Sequence, residues 1–284
     1  MTTISAADAT EIYFEDIGKG QPIVFIHGWP LSGAMWEYQV VPLVQAGFRR
    51  ISYDRRGFGR SGKSSTAYDY ATLGADLAAL IEHLDLSDVT LVGFSMGGGE
   101  VVEYLAKHNA KQRVARAMLV SSITPFMLQT TDNPDGVEAQ VFDDMLDGLR
   151  DDRPAFLTNF TEKFFNVGML SSPVSMPMLA SSCEVAMTAA PIATLACVIS
   201  FSSTDFRTQC AAITVPVLIV HGDSDQTVPI EISGARAAEL IPNAELVIYE
   251  GAPHGLFYTH REDLAEDIAA FASEGRIALT EAAQ

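Results

Sequence analysis

The chain has 284 residues, of which 48% are hydrophobic and 19% are charged, a composition typical of a globular protein with one large α/β core or two small ones. Its 18 basic and 36 acidic residues give a formal net charge of -18 at pH 7. Such a chain lacks the Lys/Arg excess that binds nucleic acid or anionic lipid, so we expect neither partner, and we expect anionic substrates to be disfavoured.

Short apolar runs alternate with helix-like segments along most of the chain. The sequence predicts strands over 11–18, 22–27, 49–54, 88–94, 114–122, 215–222 and 244–251, the first of them at an edge of the sheet. It predicts helices over 35–47, 72–86, 97–108, 230–241 and 261–273. This alternation indicates a mostly parallel sheet covered by helices on both faces.

One long insertion, residues 123–204, interrupts the alternation. It begins acidic, becomes apolar, and holds six of the ten methionines, with helices predicted over 136–149 and 154–165. We interpret it as a helical cap over the carboxyl edge of the sheet, where ligands bind in open α/β folds; a separate helical domain with its own core is the alternative. The core domain would then comprise 1–122 and 205–284. Candidate pocket-lining residues in the cap are Phe126, Phe160, Phe164 and Ile199.

The stretch "GFSMG", residues 93–97, fits the pattern G-x-S-x-G between a buried strand and a plausible helix. In that setting a serine sits on a turn so tight that the residues two before and two after it must lack bulk. Gly93 and Gly97 meet this requirement, which makes Ser95 a candidate nucleophile. The pattern alone is weak, because a glycine-rich turn can carry an incidental serine.

The expected partners of such a serine follow in the chain order serine, acid, histidine. Asp225 comes after the strand "VPVLIV", and His254 comes after the strand "AELVIYEG". A serine hydroxyl needs an imidazole to take its proton and a carboxylate to orient that imidazole. We prefer Asp225 to Asp223, which we expect to hold the turn, and we prefer His254 to His260, which begins a helix.

The other histidines are predicted to be structural or superficial. His27 and His221 each end a strand before a glycine and are expected to have structural roles, whereas His83 and His108 lie in helices.

An acyl-transfer site also needs two donors for the oxyanion. The first predicted donor is the backbone N–H of Met96, directly after Ser95. The second is the backbone N–H of Trp29, in the loop "FIHGWPLSG" after an early strand, whose indole would line the pocket. A plain packing role for Trp29 is the alternative.

Several features of the sequence favour a cytoplasmic location for the protein. The opening "MTTISAADAT" has neither a basic nor an apolar segment, so we expect no secretory leader. The apolar runs are too short to span a bilayer. The three cysteines, Cys183, Cys197 and Cys210, have no metal-type spacing and are expected to be reduced.

With these residues in place, the chain resembles the α/β-hydrolase superfamily, and within it the cofactor-free (non-haem) haloperoxidases and their arylesterase and perhydrolase relatives. The matching pieces are "HGWPLSG", "YDRRGFGRSG", "GFSMGGGEV", "FSSTDFR", "HGDSDQTVP" and "APHG", which span residues 27–255 in family order. The resemblance implies an α/β-hydrolase fold, with a mostly parallel eight-stranded sheet flanked by helices and a helical cap. It implies the triad Ser95, Asp225 and His254 with the donors Trp29 and Met96.

The resemblance also implies an activity. It is that of a serine carboxylesterase or arylesterase acting on small uncharged esters, in which hydrogen peroxide can replace water during deacylation and release a peracid that oxidises halide in solution. It further implies no haem, metal or flavin cofactor, and frequent homo-oligomers. Pro30 restricts the conformation of Trp29 before it, and our hypothesis is that it helps to place a backbone acceptor for peroxide; mere stiffening of the loop is the alternative.

Two further functions stay open at this point. A lactamase or amidase would use the same triad. A non-catalytic ligand receptor could share the fold, because fold does not fix function, although the complete Ser–Asp–His set argues against it. Branches with a carboxylate nucleophile are disfavoured because residue 95 is serine.

Overall fold

The computed structural model describes residues 2–168 and 172–275. Within them, eight strands form one sheet in the order β1-β2-β4-β3-β5-β6-β7-β8. The strands are β1 (Thr3–Ser5), β2 (Glu11–Gly18), β3 (Pro22–Ile26), β4 (Arg49–Tyr53), β5 (Val89–Phe94), β6 (Val114–Val120), β7 (Val217–Gly222) and β8 (Ala244–Tyr249). β1 and β2 run antiparallel to their neighbours and the other pairings are parallel. The expected eight-stranded, mostly parallel sheet is confirmed.

The edge of the sheet differs from the prediction. β2 was expected at the edge, but the short β1 covers it, with Thr3 opposite Tyr13. Further in, every residue of β5 and of β7, the neighbour of the edge strand β8, is buried. That burial on both faces explains why these strands are continuous apolar runs without alternation.

Helices cover both faces of the sheet and follow its strands. Those of the predicted core are α1 (Glu37–Gln45), α2 (Tyr70–His83), α3 (Met96–Lys107), α8 (Arg207–Ala211), α9 (Gly234–Leu240), α10 (Leu256–Thr259) and α11 (Arg261–Glu274). α2 illustrates the local cause: Asp69 caps it by accepting the Thr72 N–H at 3.0 Å, and Leu73, Leu77 and Leu80 give it a buried stripe.

Between β6 and β7 the described residues form, besides α8, four further helices: α4 (Ala139–Asp151), α5 (Arg153–Phe164), α6 (Met176–Met187) and α7 (Pro191–Ser203). Asp152 caps α5 by accepting the Ala155 N–H at 3.0 Å. The Ala190 N–H donates to Gly57 O at 2.7 Å, which ties the start of α7 to the loop after β4. The division into a core and a cap at residues 122/123 and 204/205 stays a prediction.

Among the described residues, no single helix is long and apolar enough to cross a membrane. α6 and α7 reach that length and hydropathy only as a pair, with a bend of 95° between them.

The carboxyl ends of the parallel strands bring the predicted site together. The segments after β3, β5, β7 and β8 carry Trp29, Ser95, Asp225 and His254, respectively. Parallel strands end at one edge of the sheet, so four segments far apart in sequence converge there.

Candidate active site

Ser95 occupies a strained turn between β5 and α3. Its backbone angles are φ +52° and ψ -118°, in the left-handed half of conformational space that side chains other than glycine rarely adopt. A Cβ added to Gly93 would lie 2.6 Å from Gly97 O, and one added to Gly97 would lie 2.6 Å from Ile26 O. Neither glycine can therefore carry a side chain, and the predicted tight turn is confirmed.

Ser95, His254 and Asp225 form a continuous hydrogen-bonded chain. His254 Nε2 lies 3.0 Å from Ser95 Oγ, and His254 Nδ1 lies 2.6 Å from Asp225 Oδ2. Because a carboxylate only accepts hydrogen bonds, the imidazole proton belongs on Nδ1, which leaves Nε2 free to accept from the serine hydroxyl. All three residues are buried, so little water competes for these bonds.

Asp225 is held as a carboxylate by its surroundings. Its Oδ1 accepts the Thr227 and Val228 N–H groups at 2.9 and 2.8 Å, and His221 Nε2 lies 3.4 Å from Oδ2. Burial alone would raise the pKa of Asp225, but His254 and His221 more than offset this and hold the pKa well below its usual range. The carboxylate therefore stays ionised at neutral pH beside His254.

Asp223 and His260, the less favoured candidates for the acid and the base, make hydrogen bonds away from Ser95. Asp223 is exposed, and its Oδ1 accepts the Gly251 N–H at 2.7 Å, which ties the loop after β7 to the loop after β8. His260 Nδ1 pairs with Thr259 Oγ1 at 3.0 Å. Neither side chain enters the chain of bonds at Ser95.

The two predicted oxyanion donors flank Ser95. Met96 is the buried first residue of α3, and a Cβ on Gly28 would lie 3.2 Å from Ser95 Cβ, so the loop that carries Trp29 passes beside the serine. Met96 begins its helix and has no partner for its N–H inside that helix. Within the described part of the chain, neither the Met96 N–H nor the Trp29 N–H makes a hydrogen bond. The peptide bond between Trp29 and Pro30 is cis.

The indole of Trp29 is held by one hydrogen bond and by aromatic contacts. Its Nε1 donates to Thr194 O in α7 at 3.1 Å. Its ring packs edge-on against Phe160 and Phe201. The side chain therefore both packs and lines the pocket above Ser95.

A cavity of about 280 Å³ opens over Ser95 and Met96. Its walls are mainly apolar side chains from α4, α5, α7 and the segment before α4, including Met127, Phe142, Met145, Phe156, Phe160 and Phe201. Asn159 and Thr227 add polar groups, and Lys163 is the one charged side chain among the described residues that line it. The cavity suits a small, largely apolar acyl group.

Of the four lining residues predicted in the cap, only Phe160 lines this cavity. Phe164 instead packs edge-on against the His254 ring, with centroids 4.8 Å apart. Phe126 packs under the Arg207 guanidinium, and Ile199 is 55% exposed. The sequence indicated an apolar underside but could not say which face of each helix turns towards the sheet.

Within residues 2–168 and 172–275, no group of three or more His, Cys, Asp or Glu side chains is placed to hold a metal ion. The expectation that the protein uses no cofactor stays a prediction. The chemistry available from the residues present is that of a hydroxyl nucleophile, a base, an acid and two backbone donors.

A family model described as "alpha/beta hydrolase fold" matches residues 21–261. The chain belongs to the α/β-hydrolase fold family. This α/β-hydrolase is 41% identical to the non-heme chloroperoxidase CPO-A1 of Kitasatospora aureofaciens over 256 residues, which is 90% of this chain and 93% of that protein. It is 37% identical to the bifunctional esterase/perhydrolase DCH of Acinetobacter calcoaceticus, with 95% of this chain and 99% of that protein covered.

Solved structures agree with these relatives. The crystal structure of a bromoperoxidase from Bacillus anthracis superposes on this α/β-hydrolase with a TM-score of 0.92 and 42% sequence identity, covering 96% of this chain and 100% of that chain. The resemblance to haloperoxidases, esterases and perhydrolases inferred from the sequence is therefore confirmed at the level of family.

Proposed function

We propose that this α/β-hydrolase is a serine esterase that cleaves small uncharged carboxylic esters through an acyl-enzyme, and that it can transfer the acyl group to hydrogen peroxide as well as to water. The observation that carries the proposal is the buried chain of bonds from Ser95 Oγ through His254 to Asp225, at 3.0 and 2.6 Å. The esterase/perhydrolase and chloroperoxidase relatives support it.

In the acylation step, Ser95 Oγ attacks the ester carbonyl carbon while His254 Nε2 takes its proton. Asp225 accepts the Nδ1–H throughout and stabilises the imidazolium that forms. The tetrahedral oxyanion accepts hydrogen bonds from the Trp29 and Met96 N–H groups at the positive end of α3. His254 then gives its proton to the leaving alcohol as the C–O bond breaks.

In the deacylation step, the same groups work in reverse. Water attacks the acyl carbon, His254 takes its proton, and the carboxylic acid leaves as Ser95 recovers its hydrogen. When hydrogen peroxide attacks instead, the product is a peracid. The peracid then oxidises halide in solution, so that an apparent haloperoxidase activity needs no redox cofactor. Throughout, the protein performs acyl transfer only.

The balance between water and peroxide is proposed to depend on the residue after Trp29. Pro30 fixes its own φ and restricts the residue before it. It would thereby orient the backbone of Trp29, whose carbonyl is the proposed acceptor for the peroxide hydrogen.

The surroundings of Ser95 support the proposed substrate class. An apolar cavity of about 280 Å³ favours a short aliphatic or aromatic acyl group without charge. We further propose a cytoplasmic location, which fits three cysteines without disulfide bonds, and assembly into homo-oligomers, as in the family resembled.

The test is hydrolysis of p-nitrophenyl acetate by wild type and by Ser95→Ala. Losing the nucleophile should lower kcat by about 10⁴ to 10⁶. Ser182→Ala is a matched control, because Ser182 in α6 is 7% exposed, as Ser95 is 6% exposed, and lies outside the site; its rate should stay within about twofold. Equal rates for wild type and Ser95→Ala would refute the hypothesis that Ser95 is the nucleophile of an esterase and would favour a ligand receptor. A panel of esters and lactams, with and without hydrogen peroxide, separates esterase, amidase and perhydrolase activities.

A further inference from the structure

A fully buried ion pair lies beneath the site and takes no part in the triad. Arg55 follows β4 and is 1% exposed, and Glu100 in α3 is 0% exposed. Arg55 Nε donates to Glu100 Oε1 at 2.6 Å, and Tyr53 Oη donates to Glu100 Oε2 at 2.5 Å. The attraction within a buried ion pair roughly offsets the free energy of desolvating its two charges. Stability alone therefore does not explain why this pair is present.

Arg55 also makes two hydrogen bonds to His27, in the segment that leads to Trp29. Its Nη2 donates to His27 O at 2.6 Å, and its backbone N–H donates to His27 Nε2 at 2.9 Å. Since Nε2 accepts, the imidazole proton lies on Nδ1, which is 2.8 Å from Gly28 O and donates to it. Burial and the charge of Arg55 lower the pKa of His27 well below its usual value, so the ring stays neutral.

The bond to Gly28 O sets the direction of the Trp29 N–H. Gly28 C=O and Trp29 N–H belong to one planar trans peptide unit, so they point in opposite directions and turn together. Gly28 O is held twice, by His27 Nδ1–H and by the Leu31 N–H at 3.1 Å. Fixing that carbonyl therefore fixes the direction of the Trp29 N–H, one of the two proposed oxyanion donors.

The other end of the ion pair, Glu100, lies in the helix that begins with the other proposed donor, Met96. Glu100 lies four residues after Met96, one turn along α3. The Met96 N–H shares its peptide unit with Ser95 O, which accepts the Gly98 N–H at 3.0 Å, so its direction is fixed by the first turn of α3. Arg55 therefore connects, through two hydrogen bonds, the loop that carries the Trp29 N–H and the helix that begins with the Met96 N–H.

We propose that Arg55 and Glu100 are positioning residues that set the direction of the Trp29 N–H and its spacing from the Met96 N–H at the start of α3, so that they act on the rate of the chemical step and not on substrate binding. This inference rests on the proposed esterase function. It predicts that loosening the pair lowers kcat while KM changes little, because the donors bind the tetrahedral state more strongly than the ester.

The neighbouring ion pair supplies a matched control. Arg56 donates to Asp76 from Nε at 2.6 Å and from Nη2 at 2.8 Å, and both side chains are nearly as buried as the first pair. None of these bonds reaches the segment from His27 to Trp29 or α3. A purely structural role for Arg55 would make substitutions at the two arginines equivalent.

The experiment compares Arg55→Lys with Arg56→Lys, and Glu100→Gln with Asp76→Asn. Each lysine keeps the charge but lacks the planar fork that reaches two acceptors at once. We measure kcat and KM for p-nitrophenyl acetate, the affinity of a boronic acid that forms a tetrahedral adduct on Ser95, and urea unfolding. Arg55→Lys should lower kcat about 10- to 100-fold, with KM within about twofold and boronate affinity lowered in parallel.

The control pair should lose comparable stability with kcat within about twofold of wild type. Unchanged kcat in Arg55→Lys, or an equal loss in Arg56→Lys at equal stability, would overturn the inference. If Arg55→Lys does not fold, Glu100→Gln decides, since it keeps the shape of the acid and should show the same loss of kcat relative to Asp76→Asn. Failure of the proposed function is distinguishable, because wild type and Ser95→Ala would then hydrolyse the ester equally.

Discussion

Replacing Ser95 by glycine should make the protein inactive but more stable than replacing it by alanine. Both substitutions remove the hydroxyl and its 3.0 Å contact with His254 Nε2, so that loss cancels in the comparison. They differ in the backbone. At φ +52° and ψ -118°, a residue with a Cβ is strained, whereas glycine adopts positive φ readily.

The size of the difference follows from two opposing terms. Relief of the strain contributes about 1–3 kcal/mol, and the greater freedom of glycine in the unfolded chain costs about 0.5–1 kcal/mol. The net gain of glycine over alanine is therefore about 0.5–2 kcal/mol. With an unfolding entropy of about 2.1 cal/mol/K per residue over 284 residues, Tm should rise by about 1–3 °C.

The assay is urea unfolding and thermal unfolding of the two variants side by side, followed by tryptophan fluorescence and circular dichroism. Ser182, in the middle of α6, provides the control. There the backbone is helical, so glycine should be less stable than alanine by about 1 kcal/mol. The sign of the Gly–Ala difference should thus reverse between positions 95 and 182. If alanine is the more stable residue at both, Ser95 is not strained and the reasoning fails.

Two other predictions concern the loop beside the serine and the thiols. Pro30→Leu should lower the ratio of perhydrolysis to hydrolysis, measured with one ester at fixed hydrogen peroxide, and an unchanged ratio would contradict the role proposed for Pro30. Burial raises the pKa of Cys197 to about 12 and that of Cys210 to about 12, so both stay protonated and sheltered at pH 8. A disulfide reagent should label the partly exposed Cys183 first and all three thiols only after unfolding; rapid labelling of three thiols in the folded protein would be inconsistent with this packing.

The sequence predicts the strands and the serine turn because their signals are local. β5 and β7 are short apolar runs bounded by turn residues, and Gly93 and Gly97 are required by contacts within the turn and with the adjacent strand. β1 escaped prediction because it has three residues, Thr3–Ser5, and depends on pairing with β2 rather than on an apolar run of its own.

The residues of the site show the same contrast between local signals and contacts that are distant in sequence. Chain order and strand context were enough to single out Ser95, Asp225 and His254, which the structure brings within hydrogen-bonding distance. The partner of Arg55 lies 45 positions away in α3, and no periodicity links the two. The signal available in the sequence is the acidic residue Glu100 between three glycines and two valines in a predicted helix, because a carboxylate in apolar surroundings requires a partner.

The pocket walls were the least predictable part. Phe164 and Ile199 lie on amphipathic or uniformly apolar helices, and composition does not say how such a helix is rotated about its axis. Packing decides this: Phe164 turns towards His254, and Ile199 turns outwards. Orientation of a helix rich in apolar residues depends on its neighbours in space, which a single sequence does not reveal.

The bond from the Trp29 indole to Thr194 O joins the loop beside Ser95 to α7, the helix that also contributes Phe201 to the pocket wall. Because Trp29 is a proposed oxyanion donor, we expect substrate selectivity and turnover to be coupled through this bond. Laboratory evolution towards bulkier esters would first replace lining residues such as Phe201. Because α7 carries both Phe201 and Thr194, a shift of this helix would also displace Trp29. Variants with a wider pocket should thus turn over even acetate esters more slowly, unless a compensating change frees the loop from the helix.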